Sequence, residues 1–378
     1  MKVVFFSSVL NHHQIPFCNA MHGVLSNDFT FVATMDMEQQ RKELGYVEDD
    51  GYPYLLKMHT SEEAYQRAYD LSQDADVMIA GVFPLEFLYD RMKKNKLTFR
   101  YSERYFREGK MCLLSPRAIY RIYKTDTRYR NKNLYMLCAS GFAAQDMKFI
   151  KAYPHKMYKW GYFPQFKHHA MDELVSRKEN PIPKLLWVGR FIPCKRAEDA
   201  IDLAERLKKA GYGVELDMIG SGALGGQLKS KVMLSGLDDV VHFKGSMKPK
   251  EVRQHMERAN IYLFTSDAGE GWGAVLNEAM NSGCAVVVSD AIGSVPFLIK
   301  DNENGLIYES GDIDSLYTKV TTLLDDKEKQ IQLGTRAYRT IADRWNAQAA
   351  ADRFLTVSEQ LLQGEKHYYP NGPMSKAD

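Results

Sequence analysis

A glycine-rich stretch, DAGEGWG at residues 267–273, carries the strongest chemical signal in the sequence. It follows an apolar run and enters a predicted helix at 274–282. Its glycines allow the backbone to approach a ligand closely, and the free N–H groups at the start of the helix attract an anion. Glu278 lies one turn into that helix, where a carboxylate suits a ribose diol. Glu270, at the loop tip, is placed to hold sugar hydroxyls; the alternative is an ordinary turn with two surface glutamates.

Two cations on a second loop suit a diphosphate. Gly189, Arg190 and Lys195 follow the apolar run 184–189, and open α/β sheets bind ligands at the carboxyl ends of their strands. An arginine fork and a lysine point charge five residues apart can straddle a diphosphate. An Arg–Lys pair alone more commonly marks a plain surface. Together with the loop 267–273, the pair predicts a nucleotide diphosphate site.

Three other patterns are weaker indications of function than these two loops. The row GSGALGG at 220–226 approaches the dinucleotide fingerprint, but the acid expected about 20 residues later precedes the next strand instead of ending it. Asp312 and Asp314 form a DxD pattern that is simpler as a helix N-cap than as a metal site. The sequence contains no HExxH, CxxC or GxSxG motif. We therefore expect neither hydride transfer, nor metal binding, nor a serine hydrolase.

The elements that would position these residues alternate between strands and helices. This order predicts an α/β protein with two doubly wound parallel sheets. Apolar runs predict strands at 2–7, 30–34, 75–80, 97–102, 134–139, 184–189, 214–219, 240–244, 261–265 and 284–289. Helices are predicted at 61–73, 197–210, 249–258, 274–282 and 347–363.

The pattern breaks near residues 160–164, and polar sequence continues to Pro183, which predicts a linker. We expect a first domain over 1–165 and a second domain over 166–345, which contains the predicted nucleotide diphosphate site. Residues 346–378 are predicted to form a helix that returns to the first domain and ends in a loose tail, 364–378.

Composition excludes several classes of protein. The chain has 378 residues, of which 45% are hydrophobic and 26% charged, which is ordinary for a globular protein. Its net charge of +2 argues against nucleic acid as a partner, and no apolar run is long enough for a spanning helix. The N-terminal residues indicate a core strand instead of a signal peptide. The five scattered cysteines, Cys112 among them, predict free thiols in the cytoplasm.

One segment, residues 91–132, is strongly basic. It holds fourteen Lys and Arg against three acidic residues, with aromatic residues interleaved. It is either a solvated surface or a surface for anionic lipid head groups or a lipid-linked phosphate acceptor, and the second reading predicts peripheral contact with the inner face of the membrane.

Residues 184–345 resemble the family 4 glycosyltransferases, of the bacterial surface-polysaccharide type. The spacing of Glu270 and Glu278 matches the family signature, a Glu followed by seven residues and a second Glu. Gly189, Arg190 and Lys195 match the family's motif after the first strand of its C-terminal domain. Phe243-Lys244-Gly245, with Met247 at the expected base contact, matches the strand before the base-binding loop. The resemblance implies the GT-B fold, two Rossmann-like domains that face a cleft, with an acceptor-side domain over 1–165 and a nucleotide-sugar-binding domain over 166–345.

The resemblance also implies roles for single residues. Arg190 and Lys195 would bind the diphosphate, Glu270 the sugar and Glu278 the ribose. The backbone that cradles phosphate and sugar would be Gly271, Trp272, Gly273, Ala274 and Val275. The implied activity is metal-independent transfer, with retention of configuration, from a UDP- or GDP-linked sugar to a hydroxyl of a glycan or lipid-linked acceptor. No further cofactor is expected.

The first half departs from the family pattern. Asn11-His12-His13-Gln14 replaces the usual Gly-Gly turn, and residues 81–84 lack the usual histidine. In this half, His12 is a candidate for binding the donor and His13 is a candidate catalytic residue. The alternative is that the two histidines form a surface or capping pair. Glu103 is a candidate for holding or deprotonating the acceptor hydroxyl, or it pairs with Arg100 or Arg104.

Two other functions remain open on sequence grounds. A nucleotide-sugar epimerase on the same architecture would consume donor without acceptor. A non-catalytic module for carbohydrate or anionic polymer would tolerate loss of Glu278.

Overall fold

A computed structural model of the chain describes residues 1–36, 51–107, 109 and 115–377. Cys112 lies outside the described residues, and so do Glu108 and Lys110, which were counted in the basic segment 91–132. The chain divides into two compact units. Unit 1 comprises Met1–Gln165 and Asn346–Asp378, and unit 2 comprises Phe166–Trp345. Each unit contains a parallel sheet flanked by helices, so the predicted α/β fold class is confirmed.

The sheet of unit 1 has seven parallel strands in the order β3-β2-β1-β4-β5-β6-β7. The strands are β1 (Val3–Ser7), β2 (Phe29–Ala33), β3 (Leu55–Lys57), β4 (Val77–Ala80), β5 (Thr98–Ser102), β6 (Leu134–Cys138) and β7 (Met157–Lys159). Every residue of β1, β4 and β6 is buried, as expected for strands covered on both faces.

The helices that the structure describes in unit 1 cover this sheet. They are α1 (Ile15–Leu25), α2 (Glu62–Asp74), α3 (Leu85–Lys93), α4 (Pro116–Thr125), α5 (Ala143–Phe149) and, near the C-terminus, α14 (Ala347–Leu362). Phe354 of α14 packs against the rings of Phe99 and Trp160 at centroid distances of 5.0 and 5.9 Å. The C-terminal helix is therefore part of the core of unit 1.

Unit 2 repeats the architecture with six parallel strands in the order β10-β9-β8-β11-β12-β13. The strands are β8 (Lys184–Val188), β9 (Glu215–Ile219), β10 (Val241–Gly245), β11 (Ile261–Phe264), β12 (Ala285–Ser289) and β13 (Leu306–Tyr308). The helices are α6 (Met171–Ser176), α7 (Ala197–Lys209), α8 (Gly225–Leu234), α9 (Pro249–Arg258), α10 (Val275–Asn281), α11 (Val295–Leu298), α12 (Ile313–Asp325) and α13 (Lys327–Asp343).

Two predictions about the connecting segments were wrong. The predicted linker up to Pro183 contains α6, whose Leu174 is only 1% exposed, because this residue packs into unit 2. The tail is not loose up to residue 377: Met374 is fully buried and its N–H donates to the carbonyl oxygen of Lys159 at 2.9 Å. Hydrogen bonds to β7 thus hold the end of the chain.

The basic segment 91–132 is only partly a surface. Arg91 is fully buried and donates to four carbonyl oxygens and the hydroxyl of Thr98, while burial lowers its pKa to about 10. Arg100 is 9% exposed. These two arginines stabilise the fold of unit 1 and are unavailable to a membrane.

Two further findings concern the whole of the described chain. Its four cysteines, Cys18, Cys138, Cys194 and Cys284, are free thiols. None of its helices combines the length and the apolar character that crossing a membrane requires.

Candidate functional site

The candidate site of unit 2 lies where the strand order reverses. β8 has β9 on one side and β11 on the other, so the loops that leave β8 and β11 diverge from neighbouring strand ends. This is the position at which doubly wound sheets bind their ligands. The loop after β8 carries residues 189–195 and the loop after β11 carries residues 265–273. The structure therefore brings the two sequence motifs together.

Lys195 and Glu270 form an ion pair between these loops. Their side chains are only 17% and 13% exposed, so the pair is shielded from most solvent. The hydroxyl of Ser266 also donates to the Glu270 carboxylate, at 3.3 Å. The Lys195 backbone is fixed because its carbonyl oxygen accepts from the Thr265 hydroxyl at 2.8 Å. Sequence analysis selected both charged residues but not their pairing.

Arg190, the second predicted cation, has a different environment. Its side chain is exposed, and within the described ranges no residue forms a hydrogen bond or an ion pair with its guanidinium. The N–H of Gly189 is used internally and donates to the carbonyl oxygen of Ile219 at 3.0 Å. The loop therefore offers one free cation, Arg190, and one paired cation, Lys195.

The GSG row at 220–222 has a packing role that its sequence did not reveal. A Cβ at Gly220, whose φ is +141°, would lie 1.8 Å from the carbonyl oxygen of Gly189. A Cβ at Gly222 would lie 2.5 Å from the carbonyl oxygen of Phe191. The N–H of Phe191 donates to the carbonyl oxygen of Ser221 at 2.8 Å. These glycines let the loop after β9 support the loop that carries Arg190 and Lys195.

The loop 267–273 is preshaped by its own polar groups. The Asp267 carboxylate accepts from the N–H of Gly269 at 2.7 Å, and the Asp267 N–H donates to the carbonyl oxygen of Cys194 at 2.9 Å. Gly273 has a φ of +80°, and a Cβ there would lie 2.4 Å from the Phe264 ring. The conformation of the loop therefore depends on Asp267 at its start and on Gly273 at its end.

The start of α10 presents open backbone donors. In the part of the chain that the structure describes, the N–H groups of Gly271, Gly273, Ala274 and Val275 donate no hydrogen bond. The side chain of Trp272 is fully buried, and its indole N–H donates to Asn277 at 2.9 Å. Trp272 thus anchors the loop through its side chain, and only its backbone remains a candidate ligand.

Glu278 is partly buried on α10. No hydrogen-bond donor among the described residues contacts its carboxylate, and burial raises its pKa while Arg253 and Lys167 partly oppose this rise. Arg253 is 5% exposed, donates to the Asn281 side chain at 2.5 Å and has a buried Nε without a partner. An unsatisfied carboxylate with a buried cation behind it suits a ligand that donates hydrogen bonds.

Sequence reasoning missed Arg253 and Tyr262. The Tyr262 hydroxyl on β11 is buried and has no partner among the described residues, and burial together with the nearby Glu270 and Glu278 raises its pKa. Arg253 lies on the buried face of α9 with Met256 and Glu257. Its spacing of three residues from the apolar Met256 was a signal in the sequence that could have placed it on this face. No comparable signal distinguishes Tyr262 from the apolar residues of its strand.

The remaining predicted residues of unit 2 are also placed. Met247 is partly buried in the short loop between β10 and α9. The Asp312 carboxylate accepts from the N–H groups of Asp314 and Ser315 at 2.9 and 3.0 Å, so the N-cap prediction is confirmed. Over the described ranges, no group of three or more His, Cys, Asp or Glu residues has an arrangement that would hold a metal ion.

The candidates of unit 1 gather around Tyr162, which the sequence did not single out. The Glu103 carboxylate accepts from the Tyr162 hydroxyl at 2.8 Å and pairs with Arg107. The His13 ring stacks on that of Tyr162 at 5.8 Å, and the His12 ring lies 3.6 Å from that of His13. The structure therefore brings His13 and Glu103 to one tyrosine.

The expected alternative for Glu103, a pair with Arg100 or Arg104, was wrong. Arg100 lies 3.8 Å from the Asp126 carboxylate, and Arg104 lies 3.6 Å from that of Asp146. These two carboxylates sit on other elements and are buried, which the local sequence around Glu103 does not reveal.

Known proteins resemble unit 2 most clearly. The family model described as Glycosyl transferases group 1 matches residues 172–340. The sulfoquinovosyl transferase SQD2 of Arabidopsis thaliana is 28% identical over 193 residues, which are 50% of this chain and 36% of that protein. The GDP-mannose-dependent alpha-(1-6)-phosphatidylinositol monomannoside mannosyltransferase of Mycobacterium tuberculosis is 26% identical over 176 residues, 44% of this chain and 46% of that protein. The chain spans less than half the length of these two relatives.

The whole chain resembles solved structures in fold. The structure of Anabaena Alr3699/HepE in complex with UDP superposes with a TM-score of 0.67 and covers 96% of this chain and 99% of that chain. The two sequences are 15% identical, so the likeness concerns the fold.

Proposed function

We propose, because the family model described as Glycosyl transferases group 1 matches residues 172–340, that the chain is a retaining, metal-independent glycosyltransferase of the GT-B fold. It transfers a sugar from a UDP- or GDP-linked donor to a hydroxyl of a glycan or lipid-linked acceptor. The reaction belongs to surface polysaccharide assembly on the cytoplasmic side of the membrane. Unit 2 binds the donor and unit 1 contributes the acceptor side.

One observation carries the donor proposal, namely the Lys195–Glu270 pair beside the free Arg190 at the reversal point of the sheet. An ammonium group has three donors, so Lys195 can hold Glu270 and a phosphate oxygen together. Arg190 adds a planar fork for the same diphosphate. The open N–H groups of the loop after β11 supply further donors to the phosphate and sugar.

The chemistry follows from charge that develops on the leaving group. The bond between the anomeric carbon and the diphosphate oxygen breaks, and the acceptor oxygen bonds to the same face of that carbon. The acceptor proton leaves with the diphosphate. Arg190 and Lys195 stabilise the departing diphosphate, and Glu270 orients the sugar through its hydroxyls. His13 and Glu103 are proposed to contact the acceptor, and His12 the donor.

Retention of configuration has a direct test. We expect the new linkage to keep the anomeric configuration of the donor sugar, with unchanged activity in the presence of EDTA. NMR of the purified product measures the first and an initial-rate assay the second. An inverted linkage would contradict the proposed mechanism.

Donor binding is tested by thermal stability against UDP-, GDP-, dTDP- and ADP-sugars. One nucleotide at 100-fold over its Kd should stabilise the protein by about 2.7 kcal/mol, a shift of about 5–10 °C. Lys195→Ala and Glu278→Gln should each lose that shift. No shift with any nucleotide would count against the donor site.

The Glu278→Gln variant has a useful internal control in its ligand-free stability. Since burial raises the pKa of Glu278, the folded state holds the proton more tightly than the unfolded state. The wild-type protein therefore loses stability as pH rises from the ordinary glutamate pKa through the raised one, and the variant lacks this loss. Above that range the variant should melt no lower than wild type, so a lost nucleotide shift reports binding and not misfolding.

The acceptor side includes a proposed membrane contact on α4. Ile119, Tyr120 and Tyr123 are 50%, 57% and 52% exposed, and Lys124 lies on the same helix. Exposed apolar residues next to cations suit the interface of an anionic bilayer. The two tyrosine rings, the isoleucine side chain and the lysine cation can enter the head-group region together.

Sedimentation with phosphatidylglycerol vesicles tests the membrane contact. Joint replacement Ile119→Ser and Tyr123→Ser should weaken vesicle binding at least about tenfold, because each side chain contributes about 1.5–3 kcal/mol when buried. Val24→Ser in α1, where the valine is 55% exposed, is the matched control and should bind like wild type. Equal binding by all three proteins would contradict the contact.

A further inference from the structure

A cavity of about 870 Å³ opens at the carboxyl edge of the sheet in unit 1. Its lining comes from the ends of β1, β4 and β5 and from one face of α4, all within this unit. Ligand sites in proteins have volumes of this order. The cavity also lies at the ends of β1 and β4, the strands between which the order of the sheet reverses.

Charge sets this cavity apart from an ordinary surface depression. Among the described residues, its charged lining consists of four arginines and one glutamate: Arg100, Arg104, Arg107, Arg121 and Glu103. Ion pairs with Asp126, Asp146 and Glu103 balance Arg100, Arg104 and Arg107, so the net positive charge that favours an anionic ligand rests on Arg121.

Two of the four arginines are already engaged. Arg100 donates to the carbonyl oxygens of Ala80 and Gly81 at 2.8 and 3.2 Å, which fixes it to the sheet edge. Arg107 pairs with Glu103. These contacts shape the cavity wall: Arg100 keeps little donor capacity for a ligand, and Glu103 balances the charge of Arg107.

The other two arginines have open donors. The Arg104 guanidinium packs over the Phe142 ring at 5.2 Å, and its Nε is buried without a hydrogen bond, 3.6 Å from the Asp146 carboxylate. Arg121 on α4 is exposed, and no described residue forms a hydrogen bond or ion pair with its guanidinium. An N–H group that is buried without a hydrogen bond, as at the Arg104 Nε, is stabilised when a ligand supplies an acceptor.

We propose that the acceptor carries a phosphate or diphosphate group and that Arg104 and Arg121 bind this group in the cavity of unit 1. The planar fork of arginine matches phosphate oxygens in pairs, and two arginines suit the higher charge and the larger number of acceptor oxygens that distinguish a phosphate or diphosphate from a carboxylate. That the bound group belongs to an acceptor rests on the proposed function. The anion site itself is inferred from the lining of the cavity alone.

Titration with inorganic pyrophosphate tests the site by calorimetry on the full chain. The background carries Arg190→Ala and Lys195→Ala, so the proposed donor site does not contribute. Binding should persist in this background and weaken about tenfold or more with Arg104→Gln or with Arg121→Gln, since each removes charge-assisted hydrogen bonds of about 1.5–3 kcal/mol. Arg121 is exposed, so its variant is expected to fold even if the Arg104 variant does not.

Arg117→Gln is the matched control, because Arg117 is an exposed arginine on the same helix that does not line the cavity. It should bind pyrophosphate like the background. Equal losses from Arg117→Gln and Arg121→Gln, or no binding in the background, would overturn the proposal. A failed nucleotide panel with intact pyrophosphate binding would instead count against the donor function.

Two probes separate the sources of the phosphate. Geranyl diphosphate represents a lipid-linked acceptor, and glycerol 3-phosphate represents a polyol-phosphate chain. Tighter binding of geranyl diphosphate than of pyrophosphate, lost with Arg121→Gln, would assign a lipid-linked acceptor. Displacement of pyrophosphate by glycerol 3-phosphate would assign the polymer, and displacement by neither would overturn the acceptor role of the site.

Discussion

Replacing Lys195 with alanine is expected to lower kcat/KM for sugar transfer about 1000-fold, the scale on which a preorganised charge stabilises a developing anion. Lys195 is only 17% exposed and is held by Glu270 and by the hydrogen bond from Thr265 to its carbonyl oxygen. Its ammonium group therefore needs little reorganisation when the diphosphate begins to leave. Arg190 is exposed and without a fixed partner, so we expect a smaller effect from its removal.

The Lys195–Glu270 pair makes a sharper test possible through a double-mutant cycle. Glu270→Gln removes the partner that positions Lys195, so its effect should overlap with that of Lys195→Ala, and the double variant should lose less than the product of the two. Lys250→Ala, at an exposed lysine on α9, is the charge control and should keep wild-type kcat/KM. A loss below about tenfold for Lys195→Ala would remove this residue from the proposed mechanism.

The sequence specified the cores of both sheets because buried parallel strands are continuous apolar runs. All ten predicted strands occur in the structure. Among the described residues, three strands were missed: Leu55–Lys57, Met157–Lys159 and Leu306–Tyr308, which lie at sheet edges and have three residues each. Runs this short carry no recognisable period, and only pairing with a neighbouring strand defines them.

The sequence predicted those residues of the candidate site that lie within short, recognisable motifs. Lys195 and Glu270 each sit on a loop with a recognisable motif, and their meeting follows from the adjacency of β8 and β11. Arg253 and Tyr262 contribute from elements without such a motif. Their importance arises from burial beside Glu278 and Glu270, a property of the folded chain that spacing along the sequence does not contain.

Gly220→Ala is expected to destabilise unit 2 by about 3–4 kcal/mol, because it combines an unfavourable backbone conformation with overpacking. The new Cβ would lie 1.8 Å from the carbonyl oxygen of Gly189, a backbone atom that cannot rotate away. Relief therefore requires movement of the loop that carries Arg190 and Lys195. For a domain of this size the melting temperature should fall by about 10 °C, measured by calorimetry.

Two glycines of the same unit separate the causes of that loss. Gly211 has a φ of +85° but nothing within 4 Å of a Cβ, so Gly211→Ala should cost only the conformational part, about 1 kcal/mol. Gly213 has open space as well and no positive φ, so Gly213→Ala should be close to neutral. If Gly220→Ala melts at the same temperature as Gly211→Ala, then the loop after β9 does not support the loop after β8. If it melts far lower, and its folded fraction also loses the nucleotide shift, then the close backbone contact at Gly220 positions the cations of the donor site.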